Sequence, residues 1–248
     1  MSNLVIILGK SGSGKSTSIK TLNSDETVIL NTLGKRLPFK GSLKMYNSEK
    51  GNMLNVIDSC DVYNKQEKQK SASFRNLDYC NYIIMALDSI AENKKYKNIV
   101  IDDGIYTIRD EFFNRTNEKG YEKFNEIGNH FRILIKKCLA LRDDLNVFLM
   151  LHSEPVETEG RIVTYKACTI GRMFEEKYGT SENTTILLYA QPKFDDKGNA
   201  SYGFYTHTIK EAGIVIPAKT PDGMFEEDYI PNDLQLVVDQ MNEYYYGE

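Results

Sequence analysis

The feature that most constrains the fold is a glycine-rich string that directly follows a short apolar run. The run is Leu4–Leu8, and the string from Gly9 to Ser16 reads GKSGSGKS, which matches the pattern GxxxxGK[ST] without a gap. A helix is predicted from Gly14 to Leu22. Glycines let successive backbone N–H groups point at one anion, and the helix terminus adds the positive end of its dipole. The string therefore predicts a phosphate cradle, the alternative being a glycine-rich turn that binds nothing.

The residue types in this loop predict its ligands. In loops of this pattern the lysine reaches the β- and γ-phosphates, and the hydroxyl of the next residue ligates magnesium. These roles fall to Lys15 and Ser16, so we predict ATP and Mg²⁺ as the cofactors. The residues predicted to contact the nucleotide are Gly9, Lys10, Ser11, Gly12, Ser13, Gly14, Lys15, Ser16 and Thr17.

A second apolar run, Asn98–Ile101, ends in the pair Asp102 and Asp103. A strand that ends in a carboxylate beside the cradle can supply the magnesium shell, so Asp102 is predicted to be a metal ligand together with Ser16. Asp103 either orients the attacking water or caps the following turn. Glu111 is another candidate for orienting that water.

A third apolar run, Asn146–Leu151, is followed by His152 and Ser153. A polar residue at this strand tip lies near the γ-phosphate and can sense whether it is present. We select His152, with Ser153 as the second choice; the alternative is a histidine satisfied at a strand end. The predicted catalytic residues are Lys15, Asp103 and His152.

Short apolar runs alternate with longer amphipathic segments along the chain, which is typical of a sheet with crossover helices. The apolar runs described above predict the strands Asn3–Leu8, Asn98–Asp102 and Asn146–Leu151. The other predicted strands are Thr27–Asn31, Leu54–Asp58, Thr185–Ala190 and an antiparallel pair, Ser201–Thr208 with Ile214–Pro217. The further predicted helices are Asn76–Glu92 and Phe124–Arg142. The polar segment Glu49–Ser73 is predicted to be an exposed or mobile insertion, and Ala190–Tyr202 to contain a hairpin turn.

These patterns predict an α/β fold of the RecA-like P-loop NTPase class. A mostly parallel central sheet is flanked by helices and has an antiparallel C-terminal edge. Residues 1–248 are expected to form a single domain that ends in an acidic segment, 220–248. The separation of the two motifs favours ATPases in which another strand lies between the P-loop strand and the Asp strand. Small-molecule kinases usually place those two strands side by side.

Composition disfavours a zinc ribbon, a membrane span and a signal peptide. The four cysteines lie far apart without a CxxC pair, which disfavours a zinc ribbon and favours a reducing compartment. No apolar stretch approaches the roughly 20 residues of a membrane span, and the N-terminus lacks a signal peptide. We therefore expect a cytoplasmic protein with no membrane partner.

Charge is unevenly distributed along the chain. Residues 35–75 include nine basic and four acidic residues, whereas eight carboxylates and no basic residue follow Lys219. Such a division can steer an anionic partner towards one face. The alternative is a pair of ordinary solvated faces.

Taken together, the strings resemble those of bacteriophage-encoded RecA-like ATPases associated with single-strand annealing recombination. The resemblance extends over nearly the whole chain. The strings that carry it, besides the P-loop, are residues 31–39, 98–103, 149–154, 169–173 and 218–225. It implies ATP binding and hydrolysis, assembly into a homo-oligomer (ring or filament), binding of single-stranded DNA and cooperation with a single-strand-binding protein. The implied setting is phage DNA recombination in the host cell cytoplasm.

The resemblance also points to DNA-binding loops and shows one departure. The loops are Ile105–Gly120 and Glu154–Thr169. The predicted DNA-binding residues of the second loop are Arg161, Tyr165 and Lys166. The two basic side chains would contact phosphates, and the tyrosine ring would stack on a base. RecA itself carries a catalytic glutamate after the strand that corresponds to Thr27–Asn31, but no acid follows that strand here, so slow hydrolysis is expected. The candidates for a basic group acting across a subunit interface are Arg172, Lys193, Lys210 and Lys219.

Two other functions fit the P-loop. One is a nucleotide or small-molecule kinase, although no arginine-rich lid segment is found. The other is a nucleotide-gated module that binds another protein through its acidic C-terminal segment. A transporter-type ATPase is disfavoured because no LSGGQ-like signature occurs.

Overall fold

A computed structural model of the chain describes residues 1–169 and 179–247. Eleven strands are found in these ranges. Their bounds are β1 Asn3–Gly9, β2 Thr27–Asn31, β3 Met53–Asn55, β4 Asn98–Asp102, β5 Asn146–Thr158, β6 Arg161–Ala167, β7 Ile186–Phe194, β8 Ala200–Tyr205, β9 Ile209–Glu211, β10 Ile214–Ile216 and β11 Tyr229–Pro231.

The central sheet has the order β11-β8-β7-β1-β5-β4-β2-β3. From β7 to β3 all neighbours are parallel, whereas β8 and β11 continue the sheet in antiparallel fashion. The predicted fold class is thus confirmed: mixed α/β, mostly parallel, with antiparallel edge strands. Strand β5 lies between β1 and β4, so the predicted extra strand between the two motifs is present.

The register of the parallel strands brings their carboxyl ends to one edge of the sheet. Gly9 at the end of β1 lies opposite His152 of β5, and Asn31 of β2 lies opposite Asp102 of β4. Loops that leave this edge therefore meet at one place, as is usual for ligand sites in open α/β sheets.

Helices cover both faces of the sheet. Their bounds are α1 Lys15–Ser18, α2 Ser42–Met45, α3 Val56–Lys70, α4 Tyr79–Glu92, α5 Tyr106–Asn114, α6 Glu122–Leu139 and α7 Leu234–Tyr246; short 3₁₀ turns occur at Ile19–Thr21 and Thr180–Asn183. The helices predicted after the P-loop and near 76–92 and 124–142 are confirmed with small shifts of their ends. In the described part of the chain no helix has the length and apolar character needed to cross a membrane.

The sheet is buried on both faces because its strands are apolar at nearly every position. In β1, Leu4, Ile6 and Leu8 pack into a core with helices α3 to α6. Val5 and Ile7 point to the opposite face and pack with α7 and the residues that follow α1. A continuous apolar run is the pattern expected of a parallel strand covered on both sides.

The prediction for residues 49–73 is wrong. The strand expected at Leu54–Asp58 ends at Asn55, and helix α3 begins at Val56, so the segment is an edge strand and a packed helix rather than an insertion. Val56, Cys60 and Asn64 form the buried stripe of α3. The Asn64 side chain hydrogen-bonds both backbone groups of Leu77. The many lysines on the exposed face concealed this short buried stripe.

The C-terminal strands pair differently from the prediction. Strand β8 pairs with β7 and β11, whereas β10 pairs with β9 and β6, so the expected pairing of Ser201–Thr208 with Ile214–Pro217 is wrong. The predicted hairpin turn joins β7 to β8, where Asp195 accepts hydrogen bonds from the backbone N–H groups of Lys197 and Asn199. The acidic segment 220–248 contains β11 and α7, and α7 buries Leu234, Val237, Val238 and Met241.

Candidate nucleotide-binding site

The cradle is formed by the turn between β1 and α1. Gly14 has φ of 96°, a left-handed conformation that a side chain makes costly, and it starts the helix. A Cβ atom on Gly9 would lie 2.5 Å from Ser13 Oγ and 2.6 Å from the carbonyl oxygen of Ala190. The spacing of these glycines is therefore required by the close approach of the loop to β7 and by the left-handed turn.

Lys15 lies inside the cradle with 5% of its surface exposed. Its Nζ atom donates hydrogen bonds to the carbonyl oxygens of Gly9, at 2.7 Å, and Lys10, at 2.9 Å. Burial lowers the pKa of Lys15 to about 8, against the opposing charges of Asp103 and Asp102. Neutral carbonyl oxygens of the loop thus hold the ammonium group. An anionic phosphate can replace them as a stronger partner.

Ser16 and Asp102 meet at the end of β4. The Ser16 hydroxyl donates a hydrogen bond of 2.8 Å to Oδ1 of Asp102, which is 6% exposed. Burial, followed by the charge of Asp103, raises the pKa of Asp102 to about 6, although Ser16 and Lys15 oppose the shift. A hydroxyl and a carboxylate oxygen are ligands that Mg²⁺ prefers.

The loop also fits a polyphosphate by a second criterion. Among the described residues, the Ser13 hydroxyl is buried in the cradle without a hydrogen-bond partner. A buried polar group without a partner is unfavourable, so such a group is expected to gain one from a ligand or water. The donor set therefore fits a nucleotide with a magnesium ion.

Asp103 and His152 form a pair next to the cradle. The distance from His152 Nε2 to Asp103 Oδ1 is 3.1 Å, and both side chains are mostly buried. Burial alone would raise the pKa of Asp103, but the hydrogen bond from His152 and the charges of His152, Lys15 and Lys35 lower it below its usual value. Asp103 also has φ of 57°. Among residues other than glycine, aspartate and asparagine adopt this left-handed region most readily, and residues in it are often found at functional sites.

Thr32 holds the Asp102–Asp103 turn in place. Its hydroxyl donates hydrogen bonds to the carbonyl oxygens of Asp102, at 3.0 Å, and Asp103, at 2.8 Å. This residue directly follows β2. Here the position after β2 supports the two aspartates instead of contributing an acid.

The two second-choice residues have other partners. Ser153 Oγ lies 3.2 Å from the hydroxyl of Tyr189. Glu111 is buried on α5, where its carboxylate pairs with Arg115 and His130. The contact of Ser153 with Tyr189 does not favour its predicted role in sensing the γ-phosphate. The ion pairs of Glu111 do not favour a role in orienting water at the cradle.

Two residues near the cradle could not be found from the sequence. Asn232 Nδ2 donates a 3.0 Å hydrogen bond to the carbonyl oxygen of Gly14. The ring of Tyr202 packs beside the same glycine and is 47% exposed. Both residues follow long intervening segments and belong to no recognisable motif, so only the pairing of β8 with β11 brings them to Gly14.

The predicted DNA-binding residues lie on β6, which forms a hairpin with the long strand β5. Arg161 is exposed near the turn, and Lys166 Nζ lies 3.4 Å from Glu154 Oε1. Tyr165 does not project freely: Lys10 Nζ lies 4.9 Å from its ring centroid, and Tyr189 stacks on it at 5.4 Å. Because neighbouring residues of a strand point to opposite faces, Tyr165 and Lys166 do not share one surface.

The basic candidates for a subunit interface have different surroundings. Lys193 lies over the rings of Tyr229, at 4.0 Å, and Tyr205, at 4.9 Å. Lys210 is exposed on β9, and the backbone of Lys219 pairs with Leu187. Arg172 lies outside the described residues.

No known protein-family profile and no curated protein sequence matches the chain. Among solved structures, the chain is similar to a KaiC-like protein from the hyperthermophilic archaeon Pyrococcus horikoshii OT3. The sequence identity is 16%, the similarity covers 87% of this chain and 90% of that protein, and the TM-score is 0.45.

Proposed function

We propose that the protein is a magnesium-dependent ATPase whose nucleotide site is the loop Gly9–Thr17. The observation that supports this most is the hydrogen bond between Ser16 and Asp102 beside the buried ammonium group of Lys15. It joins a phosphate-binding loop to a carboxylate that can hold the cation of a bound nucleotide.

Each group of the site has a part in this reaction. The amides of the loop and Lys15 bind the β- and γ-phosphates, and Ser16 and Asp102 would hold magnesium, which neutralises charge that develops on the transferred phosphoryl group. Asp103 orients the attacking water, and the nearby imidazole of His152 keeps the carboxylate in place. Because its pKa is lowered, Asp103 is a weak base, and a weak base agrees with slow hydrolysis.

We also propose single-stranded DNA as the partner that stimulates hydrolysis. The support is the resemblance of the sequence strings to phage RecA-like ATPases and the position of the β5–β6 hairpin, which touches the P-loop through Lys10 and Tyr165. In this proposal copies of the chain assemble as a ring or filament on the strand, with a single-strand-binding protein as a further partner, and promote annealing or strand exchange. Arg161 and Lys166 supply positive charge to the DNA backbone.

The kinase alternative is less well supported by the strand order. Kinases of small molecules usually have the P-loop strand next to the Asp strand, whereas β5 separates β1 from β4 here. Transfer of phosphate to a nucleoside monophosphate would nevertheless restore that alternative.

The test is ATP turnover measured with and without single-stranded DNA. Replacing Lys15 with Ala should lower turnover by about 100-fold or more, since it removes a group that stabilises transition-state charge. Lys20→Ala, an exposed lysine shortly after α1, serves as the matched control and should leave turnover unchanged. Turnover that survives Lys15→Ala would refute the ATPase site. Turnover that DNA does not stimulate, with no DNA retained in the presence of ATP, would refute the DNA proposal alone.

A further inference from the structure

A contact between the P-loop and the β5–β6 hairpin is not needed for phosphate binding. Lys10 is exposed in the loop, and its Nζ atom lies 4.9 Å from the ring centroid of Tyr165 on β6. A lysine ammonium at this distance from an aromatic ring is attracted to the face of the ring. The loop that would hold the nucleotide therefore also holds the hairpin.

The Tyr165 ring also contacts a buried residue of the central sheet. Tyr189 stacks on it with 5.4 Å between centroids and 30° between planes. Tyr189 is 1% exposed, belongs to β7 next to β1, and has its hydroxyl 3.2 Å from Ser153 Oγ. Tyr165 thus contacts both a buried ring of the central sheet and the exposed lysine of the P-loop.

The hairpin is part of a larger unit, here called the overhanging sheet: Ser153–Thr158 of β5 together with β6, β9 and β10. Strand β6 pairs with β5 on one side and with β10 on the other, and β10 pairs with β9. The Thr164 hydroxyl, one residue from Tyr165, donates a 2.8 Å hydrogen bond to the carbonyl oxygen of Val215. At the base of the hairpin the backbone N–H of Cys168 donates to the carbonyl oxygen of His152. A shift of Tyr165 would therefore be felt across the overhanging sheet and at His152.

We propose that Lys10 is a latch that responds to nucleotide. Its ammonium group lies on the Tyr165 ring when no phosphate is near and moves to the phosphate oxygens of a bound nucleotide, which releases the overhanging sheet from the P-loop. This inference rests on the proposed function only in that ATP binds at the loop. Two facts favour the exchange. A charge-assisted hydrogen bond to phosphate is stronger than the cation–π contact of an exposed lysine. Lys15 Nζ also donates a hydrogen bond to the carbonyl oxygen of Lys10, so a phosphate that binds Lys15 affects Lys10 as well.

The proposal predicts competition between the ring and the nucleotide. Because a cation–π contact at an exposed site contributes about 0.5–1 kcal/mol, replacing Tyr165 with Leu should tighten ATP binding by about 2- to 5-fold. The same replacement should have no effect when Lys10 is Met, since there is then no cation to release. Calorimetric titration of the four proteins of this cycle with Mg–ATP measures both effects.

A fluorescent reporter can follow the release directly, because the chain contains no tryptophan. Tyr165→Trp keeps an aromatic face for Lys10 and introduces a single selectively excited emitter. Its emission should change on addition of Mg–ATP with a midpoint equal to the calorimetric Kd. The change should be lost in the Lys10→Met background and kept in the matched control Lys20→Met.

Three results would overturn the proposal. The first is ATP binding with unchanged emission, and the second is an emission change that persists in Lys10→Met; both leave the proposed ATPase function intact. The third is an absence of ATP binding to the unsubstituted protein, which refutes the proposed function as well. If Tyr165→Trp does not fold, the calorimetric cycle decides alone: equal tightening by Tyr165→Leu in both backgrounds, or none in either, rejects the latch.

Discussion

The Ser16 hydroxyl and Asp102 Oδ1 are joined by a 2.8 Å hydrogen bond across 86 positions of sequence. The contact links the first turn of α1 to the end of β4, two strands away from β1 in the sheet. Burial and the neighbouring charge of Asp103 raise the pKa of Asp102 to about 6. A cation placed beside these oxygens would favour the charged carboxylate and so oppose this rise in pKa.

Replacing Asp102 with Asn tests this relationship because it removes the charge and keeps the shape. We expect the affinity for Mg–ATP to fall by about 10- to 100-fold, as is usual when a group that supports a metal is lost. The affinity for ATP without magnesium should change less, because the loop amides and Lys15 are retained. Calorimetric titrations with and without magnesium make the comparison, and Asp196→Asn in the exposed β7–β8 turn is the control. An equal loss in both titrations would contradict a role of Asp102 at the metal.

Asp103→Asn separates a role in orienting water from a role in the turn. Asparagine adopts left-handed backbone conformations as readily as aspartate, so the turn at φ of 57° should remain. If Asp103 orients the water, turnover should fall by about 100- to 10,000-fold, the range typical of general base groups, while ATP binding stays close to that of the unsubstituted protein. His152→Gln should lower turnover less, because His152 acts through Asp103. Normal turnover in Asp103→Asn would instead identify the residue as a turn former only.

The parts of the site that could be predicted from the sequence are those in which chemistry and local structure coincide. Lys15, Ser16 and Asp102 each lie at the end of an apolar strand or at the start of a helix that the pattern itself reveals. Their meeting then follows from the rule that parallel strands end at one edge of a sheet. His152 was located in the same way.

The parts that could not be predicted depend on distant pairing. Tyr202 and Asn232 reach Gly14 only because β8 and β11 continue the sheet beyond β7. Helix α3 was missed because its buried stripe is narrow and its outer face is rich in lysine. The pattern predicts that Tyr165 stacks on a base, because the sequence does not show that Lys10 and Tyr189 both contact its ring.

A ladder of asparagine side-chain amides lies where the parallel strands begin, at the end of the sheet opposite the candidate nucleotide site. It leads to a prediction about stability. Asn146 starts β5; its Oδ1 accepts a 3.0 Å hydrogen bond from Asn3, and its Nδ2 donates one of 3.0 Å to Asn98. Asn146 is 5% exposed, so Asn146→Ala would leave polar groups of both neighbours without this partner. We expect the free energy of unfolding to fall by about 1–3 kcal/mol.

Urea denaturation measures this change, with the exposed Asn117→Ala as control. A loss in Asn146→Ala no larger than that in Asn117→Ala would show that the ladder does not stabilise the sheet. The expected fall in unfolding free energy, combined with unchanged ATP binding, would confirm that the end of the sheet that carries the ladder acts independently of the end that carries the nucleotide site.

His130 joins three helices at a cluster of charged groups. Its Nδ1 atom lies 3.0 Å from Glu111 Oε1 on α5 and 3.5 Å from Asp78 Oδ2, which caps α4. Arg115 also pairs with Glu111, and Glu126 on α6 adds negative charge. The hydrogen bond to Glu111 raises the pKa of His130, against burial and with the help of the charges of Asp78, Glu111 and Glu126.

A raised pKa of a histidine in the folded state has a definite sign for stability. The protonated ring binds its partners in the folded chain only, so its contribution is complete below the ordinary histidine pKa of about 6.5 and is lost as the pH rises through the higher folded value. The difference in unfolding free energy between the unsubstituted protein and His130→Gln should therefore be larger at acid than at alkaline pH. Urea denaturation on both sides of neutrality measures it, with His207→Gln as the control for loss of a histidine elsewhere. A difference that grows with pH would mean that the neutral ring, and not the cation, holds α4, α5 and α6 together.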